Sequence, residues 1–276
     1  MPDVFVLPLA VQIVLAFFFG SIIGSFLNVV IYRLHTNKSL SGRSHCLACG
    51  YTLQWYDLVP VGSYLLLRGR CRRCQARITP RYAVVELLTA ALFALTVALV
   101  PLWWPLAILL VVQAVLVVIL VYDYYHLIIP DRLVLWLLVL AAAYLALTLG
   151  SSWLDWLWTV AAALAGASTF ALLWLVSRGR WIGLGDAKLA LPLGLLVGPS
   201  AVFSLIVLSF WVGAVVSVMV LAWQYWRRGQ RHLRFLSRPL TIHSEVPFAP
   251  FLIAAFWLVY FFSIDVLALT AHLLFV

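Results

Sequence analysis

Apolar residues recur along this chain in long unbroken runs, unlike the alternating or one-faced patterns of soluble elements. Runs of about 17–25 apolar residues, interrupted at proline, glycine or charge clusters, predict membrane-spanning helices. Eight such stretches lie near 8–32, 83–100, 105–125, 132–149, 155–177, 186–199, 201–223 and 247–266, the sixth being the shortest. A membrane β-barrel would instead show strands of about 10 residues alternating polar and apolar positions. Residues 33–82 break the pattern with a polar stretch. The chain therefore reads as an all-α polytopic membrane protein of about eight helices. A first helix (1–32) is followed by an extramembrane loop domain (33–82) and a helical membrane core (83–276).

Composition agrees with that pattern. The 276 residues are 66% hydrophobic and 10% charged, whereas globular domains average about 45–50% apolar and roughly 25% charged. A soluble enzyme, a disordered tail and a disulfide-stapled secreted module are excluded. The formal charge of +9 would suit a nucleic-acid partner if it were clustered on a soluble face, but its placement follows topology instead. If successive spans alternate in direction, residues 33–82, 126–132, 178–188 and 224–246 share one side, and they hold all 18 Lys and Arg. Basic residues are retained on the cytoplasmic side during insertion, so both termini are expected outside, with Asp3, Asp155 and Asp265. Trp103, Trp104, Trp153, Trp156 and Trp158 then form an aromatic belt at the outer boundary. The first run lacks a basic leader and a small-residue cleavage site, so it is expected to be retained. Arg227, Arg228, Arg231, Arg234 and Arg238 would hold orientation and touch anionic lipid.

The polar loop contains all four cysteines. Cys46-Leu47-Ala48-Cys49 and Cys71-Arg72-Arg73-Cys74 are two C-x-x-C knuckles 21 residues apart, near the spacing of tetrathiolate zinc ribbons. A loop too small to bury a core needs a staple. One structural zinc on Cys46, Cys49, Cys71 and Cys74 would supply it. Disulfides are the alternative, disfavoured in a reducing cytoplasm. A catalytic zinc would need an open coordination position that four cysteines do not leave.

Only nine acidic residues occur, so each one near a span carries weight. Asp123 lies near the end of the third span and Asp186 begins the sixth, in Gly183-Leu184-Gly185-Asp186. The predicted topology brings both to the same membrane face. A carboxylate at the bilayer centre costs at least about 2.5 kcal/mol, so such acids suggest function. Two at one site suggest shared-proton chemistry, one carboxyl remaining protonated while the other acts as base toward water. Asp131 and Asp186 each precede an apolar run and could instead be helix N-caps. The two glycines do not complete a nucleotide-binding fingerprint; they would allow close backbone approach beside the second acid.

In this order the motifs resemble the bacterial type IV prepilin peptidases, the bifunctional leader peptidases and N-methyltransferases among the GxGD aspartic proteases. The resemblance rests on Gly24-Ser25-Phe26-Leu27-Asn28 through Arg33, the paired knuckles, and Arg81-Tyr82 through Glu86. It continues with Asp123, Ile129-Pro130-Asp131, Gly-x-Gly-Asp-x-Lys at 183–188, and Pro247-Phe248-Ala249-Pro250-Phe251. Leu47 stands where the first knuckle usually has proline, and Leu34-His35 replaces the usual Leu-Pro after Arg33. The resemblance implies that Asp123 and Asp186 are the catalytic pair and Asp131 a supporting residue. It also implies a prepilin or pseudopilin substrate, cleaved between a basic leader and an apolar helix at the cytoplasmic face of the bacterial inner membrane. Methylation of the new N-terminus would use S-adenosylmethionine, but no methyltransferase fold is recognisable and the sequence names no residues for it.

Asn28 and Glu86 match family positions near the cytoplasmic ends of the first two spans, where interhelical hydrogen bonding competes with a substrate or cofactor role. Gly20-x-x-x-Gly24 is a helix-packing face. Lys188 would interact with a carboxylate or extend to the lipid headgroups. Two other functions compete: a peptidase without methyl transfer, and an ion or metal transporter whose acids form a relay.

Overall fold

The computed structural model describes residues 7–36, 39, 41–100, 103–149, 152–227 and 247–268. Its helices are α1 (Leu9–Thr36), α2 (Gly62–Leu66), α3 (Arg81–Leu99), α4 (Trp103–His126), α5 (Asp131–Thr148), α6 (Trp153–Ser177), α7 (Leu184–Val197), α8 (Val202–Arg227) and α9 (Ala249–Phe262), with a short 3-10 turn at Trp55–Asp57. All eight predicted spans are helical. Six are long and apolar enough to cross a membrane. α7 and α9 have 14 residues each, about 21 Å at 1.5 Å per residue, against a hydrocarbon core of about 30 Å. Left-handed backbone ends both, at Gly198 (φ 80°) and Ser263 (φ 50°). The acidic N-terminus and much of the basic 224–246 loop, including Arg228, Arg231, Arg234 and Arg238, lie outside the described residues, as do the Arg227, Trp103 and Trp104 side chains.

The helix surfaces are those of a protein solvated by lipid. Phe18, Ile22, Trp136, Val139, Val218 and Met219 are all more than half exposed, and a protein dissolved in water rarely tolerates so much open apolar area. Trp153 and Trp158 are likewise exposed at the start of α6, where the aromatic belt was expected. The chain is a polytopic membrane protein.

Two compact units divide within α4, the first ending at Tyr122 and the second starting at Asp123. In the first unit α1 packs along α3 through its glycine face. A Cβ on Gly20 would lie 2.8 Å from Phe93 Cβ, and one on Gly24 would lie 2.7 Å from Glu86 Cα. Between lipid-facing helices there is no hydrophobic driving force, so close van der Waals approach of backbones must hold the pair. Asn28 adds a polar tie, its amide nitrogen donating to Gly24 O at 3.2 Å and to Tyr82 O at 3.1 Å.

In the second unit α7 is the central element, touching α5, α6, α8 and α9. Leu189 and Leu193 are fully buried there. Gly194 accepts Ala163 of α6, whose Cα would be 3.1 Å from an added Cβ. Near its N-terminus α9 is fixed by aromatic packing: Phe248 sits 5.7 Å from Phe170 and 5.3 Å from Phe210, ring centre to ring centre. Further along, Tyr260 and Tyr144 share a hydroxyl hydrogen bond of 3.0 Å that links α9 with α5.

The α1–α3 seam yields a stability prediction. Gly24→Leu removes a residue of poor helix propensity, a gain of about 1 kcal/mol at most, but drives a side chain into the α3 backbone. Overpacking costs about 1–3 kcal/mol, so the variant is expected to unfold at lower temperature than wild type in the same detergent. An equal or higher midpoint would show that the helices separate freely.

Candidate functional site

Asp123 belongs to the last turn of α4. Beyond it Leu127 takes left-handed backbone (φ 53°) and its N–H returns to Asp123 O at 2.8 Å, which turns the chain sharply into Ile128-Ile129-Pro130 and α5. Asp186 occupies the first turn of α7. Its Oδ2 accepts the Gly183 N–H at 3.1 Å, so the carboxylate reaches back over the helix N-terminus in half of a capping box. The two connections meet at Gly185. A Cβ there would lie 3.2 Å from both Cβ and Cδ1 of Ile129, so the missing side chain brings the α4–α5 turn against the start of α7.

Both acids are buried, Asp123 at 5% and Asp186 at 6% exposure. They are near enough for the charge of one to act on the other. Asp123 also accepts the backbone N–H of Ala249, the first residue of α9, whereas its Oδ2 is buried without a hydrogen-bond partner. A helix N-terminus carries unpaired N–H groups and the positive end of the helix dipole. Two such termini, of α7 and α9, each supply a backbone donor to one acid. Chemically the arrangement is a carboxyl pair in an apolar bundle, with one oxygen held in reserve.

The Ala249 donor was not anticipated from sequence. Its signal was available in Pro247-Phe248-Ala249-Pro250-Phe251, since proline in the first helical positions marks a helix start, but a backbone amide carries no residue-type signature. Asp131 proves not to be an N-cap. Pro130 fills that position and Asp131 is the first residue of α5, where its Oδ1 receives the Lys188 ammonium at 2.7 Å. Lys188 thus pairs with a carboxylate, namely the one that ties α5 to α7. Asp131 is 73% and Lys188 46% exposed along their side chains, so this pair adds little stability and instead fixes where the turn sits.

The cysteines form a separate centre in the first unit. Each knuckle closes a tight hairpin by the same pair of bonds: Cys46 N to Tyr51 O at 2.8 Å and Gly50 N to Cys46 O at 2.9 Å, then Cys71 N to Ala76 O at 2.9 Å and Gln75 N to Cys71 O at 3.0 Å. The residue after each second cysteine is left-handed, Gly50 at φ 70° and Gln75 at φ 57°. All four Sγ atoms lie within 4.8 Å of one another, and Cys46 and Cys74 sulfurs are 3.9 Å apart. A disulfide needs about 2.05 Å; the edge of a tetrahedron with 2.3 Å metal–sulfur bonds is about 3.8 Å. The four cysteines are free thiols arranged so that they could bind a metal. Backbone N–H groups of Cys74 and Arg73 aimed at the Cys71 sulfur lower that thiol to about 7, favouring the thiolate that a metal requires. Arg72 anchors the second hairpin through the buried Asp57 at 2.7 Å.

Glu86 is also buried, and its Oε2 accepts the Val61 N–H at 2.7 Å, at a residue with left-handed backbone (φ 58°). It joins α3 to the cysteine loop, so interhelical hydrogen bonding alone does not describe its role.

Comparison with known proteins shows the family. Residues 18–100 match the model of the bacterial peptidase A24 N-terminal domain, and residues 108–218 match that of the type IV leader peptidase family. A type 4 prepilin-like proteins leader peptide-processing enzyme of Escherichia coli O78:H11 is 36% identical, over 79% of this chain and 88% of that protein. Prepilin leader peptidase/N-methyltransferases of Aeromonas hydrophila and Vibrio cholerae are 33% and 31% identical, over 88% and 87% of this chain and 88% and 92% of their own lengths. No solved structure matches. Similarity of this extent, spanning the cysteine loop and both helix-capped acids, establishes that the chain belongs to the type IV leader peptidase family.

Proposed function

We propose that Asp123 and Asp186 are the catalytic pair of an intramembrane aspartic endopeptidase that removes the basic leader of a type IV prepilin or pseudopilin. The observation that carries this reading is the pair itself: two buried carboxyls that feel each other's charge, each held by a helix N-terminal amide, with Asp123 Oδ2 unpartnered. Two like charges at close range do not both ionise readily, so the pair shares one proton. The ionised carboxylate takes a proton from water, the resulting hydroxide adds to the scissile carbonyl, and the protonated partner donates to the carbonyl oxygen. Collapse of the tetrahedral intermediate then passes a proton to the departing amine. Asp131 and Lys188 position the α4–α5 turn and take no part in the proton transfers.

The basic residues favour an arrangement in the inner membrane with the acids at the cytoplasmic face and both termini outside. A leader rich in positive charge stays in the cytoplasm, and the apolar helix that follows it enters the bilayer, so their junction meets the pair at that rim. Residues 33–82 act as a zinc-bound loop domain, and residues 83–276 hold the peptidase core. Membrane lipid covers the exposed apolar faces. After cleavage the new N-terminus is methylated, S-adenosylmethionine supplying the methyl group from its sulfonium. The names of the Aeromonas and Vibrio relatives support this second activity.

Asp123→Asn or Asp186→Asn is expected to lower leader removal by about 10²–10⁴-fold or more, measured with purified, reconstituted enzyme on a leader-bearing pilin. Normal cleavage by either variant would remove that acid from the chemistry. With wild type, the mature pilin is expected to gain one methyl group, seen as about 14 Da on its N-terminal peptide, only when S-adenosylmethionine is added. An unchanged mass alongside complete cleavage would identify a peptidase without methyl transfer.

Zinc on Cys46, Cys49, Cys71 and Cys74 should appear as about one equivalent per chain in metal analysis. Cys46→Ser and Cys71→Ser should each lower it well below that. Stoichiometry unaffected by both substitutions would place the metal elsewhere.

A further inference from the structure

We propose that residues 55–67 of the cysteine loop lie in the membrane interface, with apolar side chains among the acyl chains of the leaflet and Arg68 and Arg70 at its anionic headgroups. Lipid is then the partner of this surface. The inference is independent of the peptidase and methyl-transfer readings, and it concerns a stretch that the sequence pattern assigns outside the membrane.

Glu86 sets the depth. α1 and α3 run antiparallel, with Gly20 against Phe93, Gly24 against Glu86 and Asn28 bonded to Tyr82. Glu86 is therefore level with Gly24. The first charges toward the loop are Arg33, nine residues beyond Gly24, and Arg81, five residues before Glu86, about 13 Å and 7 Å nearer that end at 1.5 Å per residue. The Val61 N–H donates to Glu86 Oε2 at 2.7 Å, which draws the start of α2 down beside the two spans. Phe26 and Val84 expose apolar surface near the same level.

Such a position suits only backbone whose polar groups are satisfied by the protein. The N–H groups of Ser63, Leu65, Leu67, Arg68 and Gly69 donate to carbonyls of residues 59–65 at 2.8–3.0 Å. Pro60 has no N–H to satisfy, and the Glu86 carboxylate serves the Val61 amide, at a residue held in left-handed backbone (φ 58°).

The side chains divide by face. Ser63, Tyr64 and Leu67 line, with Asn28 and Glu86, a cavity of about 350 Å³ between α1, α3 and the cysteine hairpins. Leu65 and Leu66 lie outside that lining and are 66% and 86% exposed, and Trp55 on the adjoining 3-10 turn is 79% exposed. An apolar patch of this kind marks a membrane or protein contact, and tryptophan and leucine edged by arginine are the residues of interfacial anchors.

Charge decides the occupant. From Arg33 to Tyr82 the one acid is Asp57, already paired with Arg72. Arg68 and Arg70 are exposed and enter no ion pair among the described residues. Anionic headgroups complement that sign. A second copy of the chain would bring the same positive charge to the contact, and a basic leader would be repelled.

Photolabelling tests the placement in the wild-type protein with its metal bound, in bilayers of mixed phosphatidylcholine and phosphatidylglycerol. A phosphatidylglycerol tracer with a diazirine in its acyl chain is expected to mark residues 55–67 as well as α1 and α3. The same diazirine on phosphatidylcholine should mark 55–67 about threefold less, relative to α3. Adducts on α1 and α3 with none on 55–67 would overturn the insertion, and equal yields from the two tracers would overturn the anionic partner. A spin label gives a second readout in nanodiscs holding one chain each. A nitroxide attached through Leu66→p-acetylphenylalanine should be more accessible to oxygen than to a water-soluble nickel chelate, as one at Val84 is, with the reverse at Arg73. Preference for the chelate at position 66 would place the segment in water, and poor access to both reagents would show that protein covers it; either result would overturn the proposal.

Discussion

Burying two carboxylates inside an apolar helix bundle is the constraint around which the second unit is organised. Among the described residues of that unit, the one Lys or Arg that forms an ion pair, Lys188, is turned outward to Asp131. Stabilisation comes instead from backbone amides at helix starts, Gly183 for Asp186 and Ala249 for Asp123. Such donors are fixed by the fold and bring no titratable group of their own. They hold a carboxylate in place without neutralising it, as the proposed proton exchange between the two acids would require.

Several otherwise separate features follow from that requirement. The start of α9 must be immobile if its first amide is to meet Asp123, and the cluster of Phe170, Phe210, Phe248 and Phe251 fixes it. The α4–α5 turn must lie against the start of α7, which needs Gly185 to admit Ile129 and Lys188 to meet Asp131. α7 must begin at the acid, not well before it, so it is short, and its burial by four neighbouring helices compensates for the contacts that its length cannot provide. In this sense the glycines around Asp186 serve packing first.

These dependencies explain what was legible in the sequence. Apolar run length follows from bilayer thickness, so all eight helices and the all-α class could be read directly. Charge is so costly in such a setting that Asp123 and Asp186 stood out among nine acids, and thiols spaced as C-x-x-C announced their cluster. Backbone donors could not be read the same way: the Ala249 and Gly183 amides look like any others until the helix starts are placed in space. For Asp131 the cap and the supporting role stayed open for a related reason, because composition alone does not show that Pro130 holds the cap position and that Lys188, 57 residues away, is within reach. Nor does run length report that α7 and α9 stop at 14 residues, since apolar sequence continues past Val197 and the ends are set by backbone turns at Gly198 and Ser263.

The first unit meets a different difficulty. Its loop buries few side chains, Cys71 and Asp57 among them, and a stretch of about 50 residues with so little core does not hold a shape by hydrophobic burial. Hairpin hydrogen bonds and the Arg72–Asp57 pair order the two knuckles locally, and the sulfur cluster brings one knuckle to the other across 21 intervening residues. A metal on four thiolates would make that link, and its binding free energy would then be folding free energy for the loop. Cys46 and Cys71 also line the cavity that Asn28 and Glu86 border, so a metal closing the hairpins would shape that cavity as well.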